Sequence, residues 1–179
     1  MSNESADIIR MLNSAFDQVG ATTNDFYPLA LHAEIDRINE RVYHGLNNGV
    51  YRAGSATTQV AYEEAVKEVF NTLNEMEDIL SKQRYLTGEQ LTEADWRAFT
   101  TLIQFDAVYV GHFKCNHRRI VDYPALSNYV LELYQQLGVA VTVDIEYIKA
   151  HYYASHESIN PKRIVPTGPL LDFHAPHDR

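Results

Sequence analysis

The sequence predicts an all-α protein, and three observations carry that expectation. Apolar residues recur at spacings of three and four along most of the chain, alternating runs rich in β-branched residues are nearly absent, and the periodic segments break at Gly, Pro and Asn. Only Gly138 to Val143 reads as a short strand. At 179 residues, with 45% apolar and 22% charged side chains, the chain can bury a core without disulfides and does not have the composition of a disordered one.

The first helix is expected to start at Ser2 or Asn3 and to end near Gly20. Glu4 and Asp7 fall in its first turn, where the dipole favours carboxylates, and Ile8, Met11, Leu12 and Ala15 share one face. The polar stretch from Gly20 to Tyr27 marks a boundary, after which Pro28 can open a helix without losing a hydrogen bond. Ile35, Ile38, Val42 and Leu46 form the stripe of that helix, and Asn47-Asn48-Gly49 is expected to stop it. A long helix from about Thr58 to Lys82 follows, burying Val66, Val69, Phe70, Leu73, Met76 and Leu80 and implying an antiparallel pair. Thr92-Glu93-Ala94-Asp95 reads as a capping box with Asp95 at the third helical position, and Leu91 and Trp96 are placed to form a hydrophobic staple. The helix it opens should run to about Gly111 as a largely buried rod, in which Asp106 needs a partner. Tyr123-Pro124 opens a helix to about Gln136, and Asp144 to Tyr153 supports another. Ser158 to Arg179 holds four of the six prolines and is expected to lie extended over the surface.

Fifteen Lys and Arg against twenty-four Asp and Glu give a net charge of -9, a field that repels phosphate backbones and anionic lipid. Nucleic acid is therefore not an expected partner, and no apolar run approaches the roughly 18 residues of a membrane span. A single cysteine forms no internal disulfide, and Met1-Ser2-Asn3-Glu4-Ser5 has no secretory pattern, so a reducing cytoplasm is expected.

The chemistry candidates are few. Cys115 lies among His112, Lys114, His117, Arg118 and Arg119, whose charges would favour a thiolate, but the end of the preceding helix disfavours one, so a structural cysteine is the simpler reading. His112, Cys115 and His117 offer three metal donors in six residues without a fourth, short of a zinc signature. Twelve tyrosines are the oddity of the composition. A buried phenol must bond its hydroxyl or present it to a pocket. Tyr51 follows a glycine turn, Tyr109 nears the end of the buried helix, and Tyr152 and Tyr153 end a later one; such ends can converge on one cleft, though simple packing also accounts for each ring. No P-loop, Rossmann fingerprint, nucleophile elbow or zinc-protease helix is present.

Tyr85-Leu86-Thr87-Gly88-Glu89-Gln90-Leu91-Thr92-Glu93-Ala94-Asp95 resembles the capping-box segment of the helical C-terminal domain of glutathione transferases. More narrowly, three segments met in order resemble the glutathionyl-hydroquinone reductases, the Xi class of that superfamily. They are Asn48-Gly49-Val50-Tyr51-Arg52-Ala53-Gly54, the run Asp106-Ala107-Val108-Tyr109-Val110 with His112-Phe113-Lys114-Cys115, and His151-Tyr152-Tyr153 with Ser155-His156 and Ile159-Asn160-Pro161.

The resemblance covers essentially the whole chain. It implies a glutathione-transferase-like helical bundle at 21–157, preceded at 1–20 by a helix that belongs with a thioredoxin-like domain and followed at 158–179 by an extended tail. It implies glutathione-dependent reduction of glutathionyl-hydroquinones, with glutathione as co-substrate. In that family a Cys-Pro-Trp thiol of the thioredoxin-like domain attacks the thioether sulfur; that motif is absent from these residues, so the chain alone is expected not to turn over and to hold no catalytic nucleophile. Tyr51, Tyr109 and Tyr152 match the positions that line the hydroquinone site, and Glu4 and Ser5 match the pair that holds the γ-glutamyl group of glutathione. A homodimer joined through helical domains is implied too. The alternative is a non-catalytic interaction module of the same fold. Without a thioredoxin-like sheet against it, the first helix is expected to expose an apolar patch at Ile8, Met11, Leu12 and Phe16.

Overall fold

A computed structural model describes residues 4–20 and 24–179. Among these residues the fold is helical and contains no strand, only an isolated bridge between Tyr85 and Gly88. The expected start at Ser2 or Asn3 lies outside the described residues. Helix α1 spans Ser5–Ala15 with Glu4 at its N-cap, and after a 3-10 turn at Asp17–Val19 the chain leaves through Gly20, whose φ of 93° favours glycine. α1 buries no side chain. Polar contacts hold it instead: the Arg10 guanidinium reaches Asp36 at 2.5 Å and Glu93 at 2.6 Å, and lies 3.8 Å over the Tyr27 ring. Met11, Leu12 and Phe16 are exposed and Ile8 is half-buried, so three of the four residues of the expected patch face outward.

Pro28 does not open the second helix directly. A 3-10 turn at Leu29–Leu31 intervenes, and α2 spans His32–Val42 with Ile35, Ile38 and Val42 buried. Asn47-Asn48-Gly49 does not stop the helical path either. The chain passes through a π-helical turn at Tyr43–Asn47 into α3, Gly49–Gly54. The reason is tertiary: a Cβ on Gly45 would stand 2.0 Å from Thr72 Oγ1, and one on Gly49 2.9 Å from Val69 Cγ2. These glycines let the backbone lie against α4, Gln59–Leu80, rather than end a helix. α4 starts where Thr58 Oγ1 accepts the Ala61 N–H, and it buries all six residues of the expected stripe.

α5 spans Glu93–Gln104 behind the expected capping box, with Thr92 N–H donating to Asp95 Oδ2 at 2.8 Å. Leu91 and Trp96 are both half-buried against the core. The single rod to Gly111 is instead α5 followed by a π-helical turn at Phe105–Tyr109, all five residues of which are buried. Asp106 finds its partners in the backbone N–H groups of Ile120 at 2.6 Å and Val121 at 3.2 Å. α6 covers Pro124–Tyr134, its proline at the helix start and its Ala125 and Leu126 N–H groups donating to Glu77 of α4.

Gly138 to Val143 forms no strand. It holds a 3-10 turn at Ala140–Thr142, entered through Gly138 at φ 86°, and no sheet edge is available among the described residues for it to pair with. α7 spans Ile145–Ser155, with Asp144 accepting the Tyr147 N–H. It packs on the π turn at Phe105–Tyr109, while α5 packs between α2 and α6.

The tail has no helix or strand, yet it is not simply spread over the surface as expected. Leu171 and Phe173 pack against the core, Phe173 lies 5.1 Å from Tyr134, and Arg179 bonds the buried Glu132. No helix among the described residues is long and apolar enough to cross a membrane.

Candidate functional site: a cleft walled by tyrosines

Three separate elements bring Tyr51, Tyr109 and Tyr152 together. Tyr51 stands on α3, within the first turn of a helix rather than after a glycine turn; Tyr109 ends the π turn that follows α5, and Tyr152 lies on α7. Their hydroxyls form a chain: Tyr51 to Tyr152 at 2.5 Å and Tyr152 to Tyr109 at 2.9 Å. Tyr109 is 2% exposed and Tyr152 9%, whereas Tyr51 is 44% exposed. The chain of hydroxyls therefore runs from the core to solvent.

Phe113 forms the floor, stacked on Tyr109 at 5.4 Å and edge-on to Tyr51 at 5.2 Å and Tyr152 at 5.9 Å. Gly54 makes room for it, since a Cβ there would stand 2.2 Å from Phe113 Cδ1. The next residue, Lys114, has φ 62°, a left-handed turn whose carbonyl accepts the Tyr62 hydroxyl at 2.6 Å and keeps the loop in place. Tyr51, Gly54, Phe113, His156 and Ile159 line an open cleft of about 330 Å3 beside the hydroxyls.

Burial pushes the Tyr109 phenol far above its ordinary value and that of Tyr152 up to about 12. Both stay protonated at neutral pH, so neither is a base. Three hydroxyls in a row hold three protons and use two in bonding one another, which leaves one O–H to donate outward. With Tyr109 enclosed, the ordering Tyr109 to Tyr152 to Tyr51 directs that donor to the exposed end, and each bond polarises the next. Such an arrangement can hold a ring oxygen and stabilise negative charge that develops on it.

Cys115 is fully buried, and loss of solvent pushes its thiol up to about 12 in spite of Lys114, so it is no nucleophile. The cationic neighbours that suggested a thiolate do not gather on it. The His117 ring stacks on Phe70, and His112 Nε2 lies 3.0 Å from His156 Nδ1. Among the described residues no group of three His, Cys, Asp or Glu side chains is placed to hold a metal.

Glu4 and Ser5 are exposed at the start of α1. That helix is fixed to Asp36, Glu93 and Phe26, none of which lines the tyrosine cleft. Sequence reasoning missed Gly54, Phe113 and His156 as parts of the site. For His156 a signal existed: it follows Tyr152 by four residues, one helical turn on the same face.

Residues 59–131 match the family of the glutathione S-transferase C-terminal domain. A glutathionyl-hydroquinone reductase of Sphingobium chlorophenolicum, PcpF, is 58% identical over 169 residues, which is 94% of this chain and 54% of that protein. The glutathione-bound structure of YqjG, a glutathione transferase homolog from Escherichia coli K-12, superposes with a TM-score of 0.97 at 53% identity, covering 99% of this chain and 58% of the other. A Xi class glutathione transferase from Natrialba magadii gives 0.96 at 48% identity, covering 99% and 54%. The chain thus spans a little over half the length of the relatives it matches.

Proposed function

From the strong homology to glutathionyl-hydroquinone reductases and Xi-class glutathione transferases that runs through nearly the whole chain, we infer that these residues form the ring-binding half of such a reductase. The observation that carries this reading is the convergence of three phenol hydroxyls from α3, the π turn and α7 beside a cleft. In the reaction, the ring of a glutathionyl-hydroquinone first takes its keto form, a proton passing from a ring hydroxyl to the carbon that bears sulfur; a thiolate then attacks that sulfur, an S–S bond forms, the C–S bond breaks, and its electron pair restores the aromatic ring as a phenolate that afterwards takes a proton. Negative charge thus develops on a ring oxygen, and the outward Tyr51 donor, backed by Tyr152 and Tyr109, stabilises it there. The attacking thiol is not Cys115, which is buried and protonated.

Glutathione is the co-substrate. Glu4 would pair its ammonium, and Ser5 with the first-turn N–H groups of α1 would hold its carboxylate. In this reading 21–157 is the helical domain and 158–179 its tail. The exposed side of α1, within 1–20, would seat a thioredoxin-like domain, and the assembly would be a cytoplasmic homodimer joined through helical domains. That same open apolar side favours a second reading, a non-catalytic interaction module.

Titrating the chain with a hydroquinone, with tyrosine rings isotopically labelled, tests the first reading. Selective shifts at Tyr51, Tyr109 and Tyr152 are expected, with Tyr51→Phe weakening binding about fivefold for the loss of one hydrogen bond. Shifts spread over the molecule, or none at these rings, would refute it. Glutathionyl-hydroquinone added to the chain alone should release no glutathione in a thiol-dependent manner.

A further inference from the structure

His156 sits at the end of α7 with its imidazole on the wall of the cleft, 5.6 Å from the Tyr152 ring and 5.8 Å from Phe113. Its Nδ1 lies 3.0 Å from Nε2 of His112, which is only 3% exposed. The two rings are nearly parallel, at 19°, and His112 also packs 4.6 Å from Tyr153. A histidine whose Nδ1 is engaged has Nε2 as the one ring nitrogen that a ligand can bond. Binding sites commonly fix a histidine tautomer through the bond made by its other nitrogen, and His112 occupies that place here.

We propose that His156 is a second ring-oxygen contact of the cleft, with His112 as the positioning residue that sets which way its Nε2 hydrogen bond runs. This rests on the reading of the cleft as a hydroquinone site. When His156 Nδ1–H donates to His112 Nε2, His156 Nε2 accepts from a ring hydroxyl; when His112 Nε2–H donates to His156 Nδ1, His156 Nε2–H donates to a ring oxygen. Burial together with the charges of His156 and Lys114 pushes the His112 imidazole down to about 4, so His112 is neutral near pH 7 and has a single ring proton to place. Around His156 stand Tyr51 from α3, Tyr152 from α7 and His112 from the loop; Lys114 acts on His112, and the adjacent Glu157 is paired with Arg163. The ligand this selects is an aromatic ring with hydroxyls at separated positions, one met by the tyrosine chain and another by the imidazole. A monophenol would satisfy only one of them.

The test is a pair of titrations of the whole 179-residue chain, one with 1,4-dihydroxybenzene and one with 1,4-dimethoxybenzene, under anaerobic conditions with histidine nitrogens labelled. A shift of the His156 Nε2 resonance with the dihydroxy compound is expected in the unsubstituted protein. His156→Phe should weaken that compound about tenfold, while His156→Gln, which keeps a polar nitrogen, should restore most of the loss; because a methoxy oxygen accepts but cannot donate, the dimethoxy compound is unchanged by His156→Phe when Nε2 is the acceptor and weakened too when Nε2–H is the donor. If His156→Phe binds as the parent does while Tyr51→Phe is weakened, the inference falls and the cleft reading stands. If the parent binds neither compound at the tyrosines, both fall. The Nε2 resonance needs no variant, so a substitution that failed to fold would not remove the test.

Discussion

Cys115 and His112 lie three residues apart, yet their protonation is displaced in opposite directions by one cause, because the interior favours the neutral form of each. The thiol rises from 9.0 to about 12, so above pH 9 an unfolded chain releases a proton that the native one keeps. Stability then falls as pH rises from about 9 toward 12, by up to about 1.4 kcal/mol per pH unit. The imidazole drops from 6.5 to about 4, so the unfolded chain binds a proton first as pH falls. Its contribution is present above about 6.5 and is lost on the way down to about 4. Urea unfolding of the parent and of Cys115→Ala at pH 8 and pH 10 separates the alkaline part. The parent should lose about 1 kcal/mol more than the variant over that interval, after allowing for the cavity cost that both pH values share. Parallel profiles would show that the thiol is not enclosed. The sequence favoured a protonated thiol from the helix end before Cys115, but it did not show that Cys115 is enclosed or that His117 turns away to Phe70.

Among the elements, the start of α5 shows how much a local pattern can fix. Asp95 is fully buried, and its carboxylate accepts four bonds, from the N–H groups of Leu86 and Thr92 and from the hydroxyls of Thr92 and Tyr129. One side chain therefore caps α5, ties down the turn before it and anchors α6. Asp95→Asn brings an NH2 group against one of these donors. A loss of about 3 kcal/mol in unfolding free energy is expected, far beyond the roughly 1 kcal/mol of an exposed cap, and calorimetry would read it as a lowered Tm. A loss near 1 kcal/mol would mean that only the cap matters. The Thr92 to Asp95 box was legible because it spans four consecutive residues. The two π turns were not, and neither was the role of Gly49, because both depend on what packs alongside: Val69 across from Gly49, and α7 across from Phe105–Tyr109. Element ends alone left the tyrosines open between a shared cleft and simple packing, and resemblance singled out the three, since they come from three elements far apart in the chain.

At the scale of the whole molecule, the tail adds a further tie between α4 and α6, which already meet through Glu77. Glu132 on α6 is 2% exposed and receives Tyr85 Oη–H at 2.7 Å, Arg84 at 2.7 Å and Arg179 Nε–H at 3.2 Å. Arg179 also donates to the carbonyls of Leu80 and Gln83, at 3.3 and 3.2 Å, and to that of Arg84, which places a cation at the C-terminal end of α4. Upstream, Gln135 Nε2 bonds the carbonyls of Phe173 and Ala175, and Leu171 and Phe173 close one wall of an apolar cavity of about 200 Å3 against Leu102, Ile103 and Val130. Arg179→Ala removes the partner that is buried with Glu132 and leaves the half-exposed Arg84 to compensate it. Unfolding free energy should fall by about 1 to 3 kcal/mol, because a buried carboxylate loses a charge-assisted bond. The same change frees the end of the strap, so limited proteolysis should cut first around Leu170 to Phe173 at protease levels that leave the parent whole. Helix α7 and its tyrosines should stay protected in the variant, because Tyr152 is held by Tyr51 and Tyr109 and not by the strap. Equal cleavage rates in parent and variant would show that Leu171 and Phe173 alone retain the tail.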